Sequence, residues 1–309
     1  MIQTRALSKH YGAVRALSDL TLEVRRGEVY GLLGPNGSGK TTTIRLLLGL
    51  LRPSSGSAVV DRFDCWRESR SVRQLVSYLP GELRLPGGMR GLTLLKYLCD
   101  LRGGRGLDRA VGLAERVMEL DLRRRIRAYS TGMKQKLALA QVFADPVDVL
   151  ILDEPTSALD PSARELVLSL VSDARAGGQT VIFSGHVLSE VERVADRVAI
   201  MRKGALKHVE DMHARRSQRM VLVRFEGEVP TTFPDELALS VRDRQGERTV
   251  LLEHRGAAGP LLSWLAAQPV ADLAIGTEDL RSLYDRFHGP DVADDGPDPG
   301  KPAGMEEIA

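Results

Sequence analysis

Apolar and polar positions alternate through Val14 to Leu17 and again from Leu20 to Val24, the two-residue period of half-buried strands. Val29 to Leu33 is a short apolar run that ends in a glycine-rich loop, and Lys40 to Leu50 has the length and composition of a helix. Together they predict a strand, loop and helix unit. Val149 to Leu152 and Val181 to Phe183 are nearly continuous apolar runs, as expected of strands buried on both faces of a parallel sheet. From about residue 83 to 128 helical spacing takes over. Leu92, Leu95, Leu98 and Cys99 are expected on one buried face, and Val111, Leu113, Ala114, Val117 and Met118 on another. After Met212 the texture changes again: Val221 to Val223 and Thr249 to Leu252 read as strands, and Leu280, Leu283, Tyr284 and Phe287 form an apolar stripe at helical spacing. The expected organisation is an α/β unit over residues 1–212 with an N-terminal antiparallel β subdomain and a helical insert at 83–128. A small α+β extension follows at 213–288, then an acidic, proline-bearing tail at 289–309 that reads as disordered.

Composition narrows this picture. The chain has 309 residues, 43% hydrophobic and 27% charged, which is ordinary for a folded protein. A net charge of +2 gives no reason to expect nucleic acid as a partner. Two scattered cysteines, Cys65 and Cys99, build neither a disulfide framework nor a zinc knuckle. The longest apolar stretch, Ile44 to Leu51, is broken by Arg45 and Gly49 and falls short of the roughly 18 residues of a membrane span. The first residues lack the apolar core of a secretory signal, so a cytoplasmic location is expected.

The chemistry is concentrated after the apolar runs. Gly34-Pro35-Asn36-Gly37-Ser38-Gly39-Lys40-Thr41 satisfies the phosphate-loop pattern G-x-x-x-x-G-K-[ST] between a predicted strand and a predicted helix, and Thr42 extends the same helix start. Such a loop turns backbone N–H groups toward phosphate oxygens, and the helix N-terminus adds about half a positive charge. Lys40 is placed to reach the outer phosphates and Thr41 to ligate Mg²⁺. Asp153-Glu154 closes the later run: Asp153 suits a metal water shell, and Glu154 the polarisation of an attacking water, although an acidic pair at a strand end is also commonly just solvated. Asp160 before Pro161 fits a helix cap, and His186, just beyond the Val181 to Ser184 run, fits a hydrogen bond to a terminal phosphate. In an open α/β sheet these segments converge beyond the carboxyl ends of the strands.

Tyr129-Ser130-Thr131-Gly132-Met133-Lys134-Gln135-Lys136, ahead of the acidic strand, completes a series that resembles the ATP-binding subunit of ABC transporters, exporter-like in type, from about Ile2 to Met212. Ser130 and Gly132 match that family's LSGGQ-like signature, while Thr131 and Met133 depart from it. Ser157 to Asp160 matches the loop between the two ATPase subunits, Ser184-Gly185-His186 the switch-histidine loop, and Tyr11 the aromatic that stacks on adenine; a surface tyrosine is the plain alternative. After Pro80 the family often carries glutamine, and this chain has Gly81-Glu82.

The resemblance implies a phosphate-loop NTPase that dimerises around two ATP–Mg²⁺ and hydrolyses ATP with Glu154, His186 and Lys40. Ser130 and Gly132 of each copy would meet the nucleotide held by the other. It further implies a homodimer bound to separate integral membrane permease subunits, peripheral at the cytoplasmic face of the membrane, exporting a drug, antibiotic or lipid-like substrate. Two alternatives stay open: an ABC ATPase working on ribosomes or nucleic acid, and a nucleotide-dependent regulatory module of low turnover.

Overall fold

The computed structural model describes residues 1–276 and residue 284. The chain opens with two long antiparallel strands, β1 (Ile2–Tyr11) and β2 (Val14–Val24), followed by β3 (Val29–Leu33) and helix α1 (Lys40–Leu47). Here β2 is one strand where the residue pattern suggests two: its alternation breaks at Asp19, which adopts φ 49° opposite an irregularity in β1. Helix α1 ends earlier than its composition predicts. The chain turns at Gly49, with φ 63°, where a Cβ would lie 2.1 Å from the Cys65 carbonyl oxygen, a contact only glycine tolerates.

β4 (Ser55–Val60) and β5 (Phe63–Asp64) complete an antiparallel sheet of order β2-β1-β4-β5. Helix α2 (Ser69–Leu75) then leads into β6 (Val76–Leu79), and the helical segment follows with α3 (Gly91–Leu101), α4 (Leu107–Gly112) and a π-turn at Leu113–Val117. Its buried stripe on α3 is Gly91, Leu94, Leu95 and Cys99; Leu92, expected inside, is exposed. Val117 is exposed as well, because the π-turn offsets the helical stagger after α4 and leaves Ala110, Ala114 and Met118 to face inward.

The second sheet forms from α5 (Thr131–Ala144), β7 (Val149–Asp153), α6 (Pro161–Ala176), β8 (Thr180–Gly185), α7 (Leu188–Val194), β9 (Arg197–Arg202) and β10 (Ala205–Asp211), in strand order β10-β9-β3-β8-β7-β6. All neighbours are parallel except the edge pair β9–β10. Alternate residues enter different cores: Leu150 and Leu152 of β7 join the helical insert, whereas Val149 and Ile151 pack with Ile44 and Leu47 of α1. That two-sided burial is why these strands read as continuous apolar runs.

After α8 (Met212–Ser217) comes a third, antiparallel sheet, made of β11 (Arg219–Phe225), β12 (Leu239–Gln245), β13 (Thr249–His254) and β14 (Val270–Gly276) in order β12-β13-β11-β14. Helix α9 (Ala258–Ala266) sets Leu261 and Leu265 in the same core as Val221, Val223 and Leu252. Of the predicted stripe, Leu280, Leu283 and Phe287 lie outside the described residues. Tyr284 is helical and packs against the larger core. The predicted acidic tail also lies outside them.

Candidate active site

Strand order alone brings the candidate loops together. β3 lies beside β8, with Leu33 paired to Gly185, and β8 lies beside β7, with Ser184 paired to Asp153. The loop after β3, the acidic pair and the Ser184-Gly185-His186 turn therefore emerge side by side at the carboxyl edge of the sheet.

Within the loop, Gly37 and Gly39 take φ 76° and 105°, and a Cβ on Gly39 would stand 3.1 Å from the Ala16 carbonyl oxygen. Pro35 and Asn36 are exposed on the loop rim and Gly34 is buried at its base. Helix α1 begins with no side-chain cap and no acid in its first turn, so its leading N–H groups are not claimed by a side chain. The Ser38 hydroxyl is buried and has no hydrogen-bond partner among the described residues. An unclaimed helix N-terminus, left-handed loop glycines and an orphaned buried hydroxyl all fit a phosphate group. Lys40 is 5% exposed and donates from Nζ to the carbonyl oxygens of Gly34 at 2.7 Å and Pro35 at 3.2 Å. Its pKa is lowered: burial disfavours the charged ammonium more than Glu154 and Asp153 favour it.

The acids are held by Ser184, which the sequence places in the switch-histidine loop without a role of its own. The buried Ser184 hydroxyl donates to Asp153 Oδ1 at 2.6 Å and accepts from the Glu154 backbone N–H at 3.0 Å. Asp153 borders a cavity of about 450 Å³ that Thr41, Tyr78, Gly81 and Glu154 also line. A hydroxyl and a carboxylate on one cavity wall are the hard oxygen donors that Mg²⁺ takes alongside phosphate and water, so these residues fit the metal. Glu154 Oε1 lies 3.7 Å from Lys40 Nζ, and Oε2 lies 3.5 Å from His186 Nδ1. Lys40, Glu154 and His186 thus converge, with His186 on the exposed side.

Tyr78 also borders the cavity, and burial, reinforced by the Asp153 charge, pushes its phenol up to about 12. A Cβ on Gly81 would sit 3.6 Å from the Asp153 carboxyl group, so a longer side chain there would lie against that acid. Glu82 borders the same cavity, is highly exposed and pairs with Arg84 at 3.7 Å.

Four predicted residues stay apart from this cluster, and among the described residues no hydrogen bond or ion pair joins them to it. Ser130 caps α5, its hydroxyl accepting from the Met133 N–H at 3.2 Å. Gly132 abuts the Ala158 carbonyl oxygen, which a Cβ would approach to 3.0 Å. Asp160 caps α6: Oδ1 accepts from the Ser162 hydroxyl at 2.6 Å and the Ala163 N–H at 2.9 Å, and these bonds hold its pKa below the usual carboxylate value. Tyr11, at the tip of the β1–β2 hairpin, is 48% exposed with Lys9 Nζ 4.9 Å from its ring centre.

Comparison with known proteins agrees with this geometry. Residues 17–157 match the family model described as ABC transporter. The chain is 40% identical over 200 residues to the daunorubicin resistance ATP-binding protein DrrA3 of Streptomyces coeruleorubidus, covering 63% of each sequence. It is 33% identical over 212 residues to the bacitracin transport ATP-binding protein BcrA of Bacillus licheniformis, covering 67% of this chain and 68% of that one. A solved ATP-binding subunit of an ABC transporter, 28% identical, aligns with a TM-score of 0.64 over 70% of this chain and 92% of its own.

Proposed function

Because the chain belongs to the family of ABC transporter ATP-binding subunits, we propose that it binds and hydrolyses ATP–Mg²⁺ as a homodimer to drive export through separate membrane subunits. The observation that carries this reading is the Glu154 carboxylate set between Lys40 and His186 at the mouth of the phosphate loop.

In this reading residues 1–212 are the ATPase unit, with the helical insert at 83–128, and 213–288 an accessory unit. The loop from Gly34 to Thr42 cradles the triphosphate by its N–H groups, and Lys40 leaves its carbonyl partners to meet the β- and γ-phosphates. Thr41 and Asp153 are the residues that would hold Mg²⁺, which supplies positive charge to the phosphate oxygens. Glu154 takes a proton from water as that water's oxygen bonds to the γ-phosphorus and the bond to the β,γ-bridging oxygen breaks, leaving ADP and phosphate. A general base in this role contributes roughly 10² to 10⁴ in rate. His186 donates to the γ-phosphate, and Tyr11 stacks on adenine.

Ser130, Gly132 and Asp160 stand apart from Lys40 in one chain, which supports a site completed by a second copy. Relatives named as ATP-binding proteins of transport systems support separate permease subunits and a peripheral position at the cytoplasmic face, and among the described residues no helix is long and apolar enough to cross a membrane. Relatives named for daunorubicin resistance and bacitracin transport support a drug, antibiotic or lipid-like cargo.

Glu154→Gln tests the reading. The variant should retain ATP, accumulate a closed dimer by size-exclusion chromatography and lose turnover; hydrolysis at the parent rate removes Glu154 as the base. A regulatory module of low turnover is the second reading, favoured by Gly81 beside Asp153 where the family often has glutamine, and steady-state ATPase assays separate the two.

A further inference from the structure

The segment between β7 and α6 is held in a conformation its own residues do not favour. Glu154 has φ 50° and Ala158 φ 63°, both left-handed, and neither is glycine or asparagine. Such strain persists only where surrounding contacts impose it. Three helices supply those contacts. From α5, Gln135, 4% exposed, donates its side-chain amide to the Pro155 carbonyl oxygen at 3.0 Å. From α7, the Glu190 carboxylate accepts the Thr156 hydroxyl proton at 2.5 Å. From α6, Arg164 donates to the Leu159 carbonyl oxygen at 3.0 Å and lies 3.6 Å from the second oxygen of Glu190. Gln135, Thr156 and Glu190 are all buried, so each lost partner would leave a polar group unsatisfied.

We propose that Gln135 and Glu190 are positioning residues for Glu154. They clamp the strained segment from both sides, so that the carboxylate stays between Lys40 and His186. The clamp also joins distant parts of the site. Gln135 lies one turn inside the helix capped by Ser130, so a displacement of that helix N-terminus reaches the Glu154 backbone through one hydrogen bond and one peptide unit. Glu190 lies on α7, the helix that follows His186, so His186 and the loop that carries Glu154 are tied to one element. This inference rests on Glu154 being the base.

The test uses the full chain with magnesium ATP, measuring kcat and KM, ATP affinity by calorimetry and folded fraction by circular dichroism. Gln135→Ala and the near-isosteric Thr156→Val should each lower kcat by about 10- to 100-fold, the scale of a misplaced catalytic group, with ATP affinity unchanged. Thr156→Ser, which keeps the hydroxyl, should stay near the parent rate. In a Glu154→Gln background, Gln135→Ala should remove no further rate. Unchanged kcat in both Gln135→Ala and Thr156→Val overturns the proposal. So does a loss explained by folded fraction alone, or a full additional loss in the Glu154→Gln background. If Glu154→Gln itself runs at the parent rate, the base assignment fails instead, and that result is read independently of the other variants.

Discussion

Lys40 and His186 each sit within ion-pair distance of Glu154, whereas Ser130 and Asp160 spend their side chains on the first turns of α5 and α6. The first group lies on connections that leave the ends of β3, β7 and β8, which the sheet sets side by side, and Lys40 reaches across from the first turn of α1. The second sits at helix starts, where backbone N–H groups need acceptors anyway. The convergent residues therefore have no structural reason to be what they are, since a buried lysine against a carboxylate and two carbonyl groups costs desolvation. The capping residues have a local reason, and a role toward a second copy comes on top of it. Perturbing each group should consequently give different signatures.

The largest effect is expected at the convergent group. Lys40→Ala should abolish measurable turnover and weaken ATP binding by calorimetry, while thermal stability stays or rises, because burial of the ammonium is relieved. A variant that binds ATP like the parent would dissolve the contrast, since Lys40 would then be structural too.

Ser130→Ala is the counterpart. It should cost about 1 kcal/mol of stability by urea denaturation from the lost cap. ATP affinity of the single chain should be unchanged, and ATP-driven dimerisation should fall about tenfold or more. Loss of single-chain affinity would place Ser130 in the site of its own chain and break the comparison from the other side.

Tyr11 belongs to neither group, being exposed at a hairpin tip. Tyr11→Ala should weaken nucleotide binding by about 1 to 2 kcal/mol and Tyr11→Trp should preserve it, if stacking is the contact. Equal affinities in all three proteins would remove Tyr11 from the site.

The same contrast governs what was legible in the sequence. Lys40 announces itself by completing the phosphate-loop pattern, and Glu154 because it follows a strand buried on both faces, where a polar residue needs a purpose. Ser184 was legible as part of the switch-histidine loop, yet its hold on the acids follows only from the pairing of β7 with β8. Gln135 reads as an unremarkable helix residue until its partner, 20 positions away, is seen. Strand β1 escaped pattern reading because Ala6, at φ 46°, interrupts the alternation before Leu7. β12 and β14 escaped it because both are edge strands whose residues are almost all exposed, leaving no two-residue period to detect. Leu92 fits the i, i+3, i+7 spacing of Leu95 and Cys99, yet the buried stripe of α3 is centred on Gly91, Leu94, Leu95 and Cys99 and leaves Leu92 outside.

The smallest expected effect concerns the cap at Asp160 and separates its charge from its geometry. Hydrogen bonds from Ser162 and Ala163 favour the ionised carboxylate, so its pKa lies below the unfolded value. A group of this sign contributes its stability above the unfolded pKa and loses it as pH falls through the depressed one. The parent should therefore lose slightly more thermal stability than Asp160→Asn between about pH 5 and pH 2, because asparagine caps a helix about as well without titrating. Both proteins should hydrolyse ATP with similar KM if the carboxylate serves only the cap. Parallel melting curves across that range would show that the charge of Asp160 does not act on α6, and a drop in ATP-driven dimerisation at neutral pH in Asp160→Asn would show that it acts on the second copy.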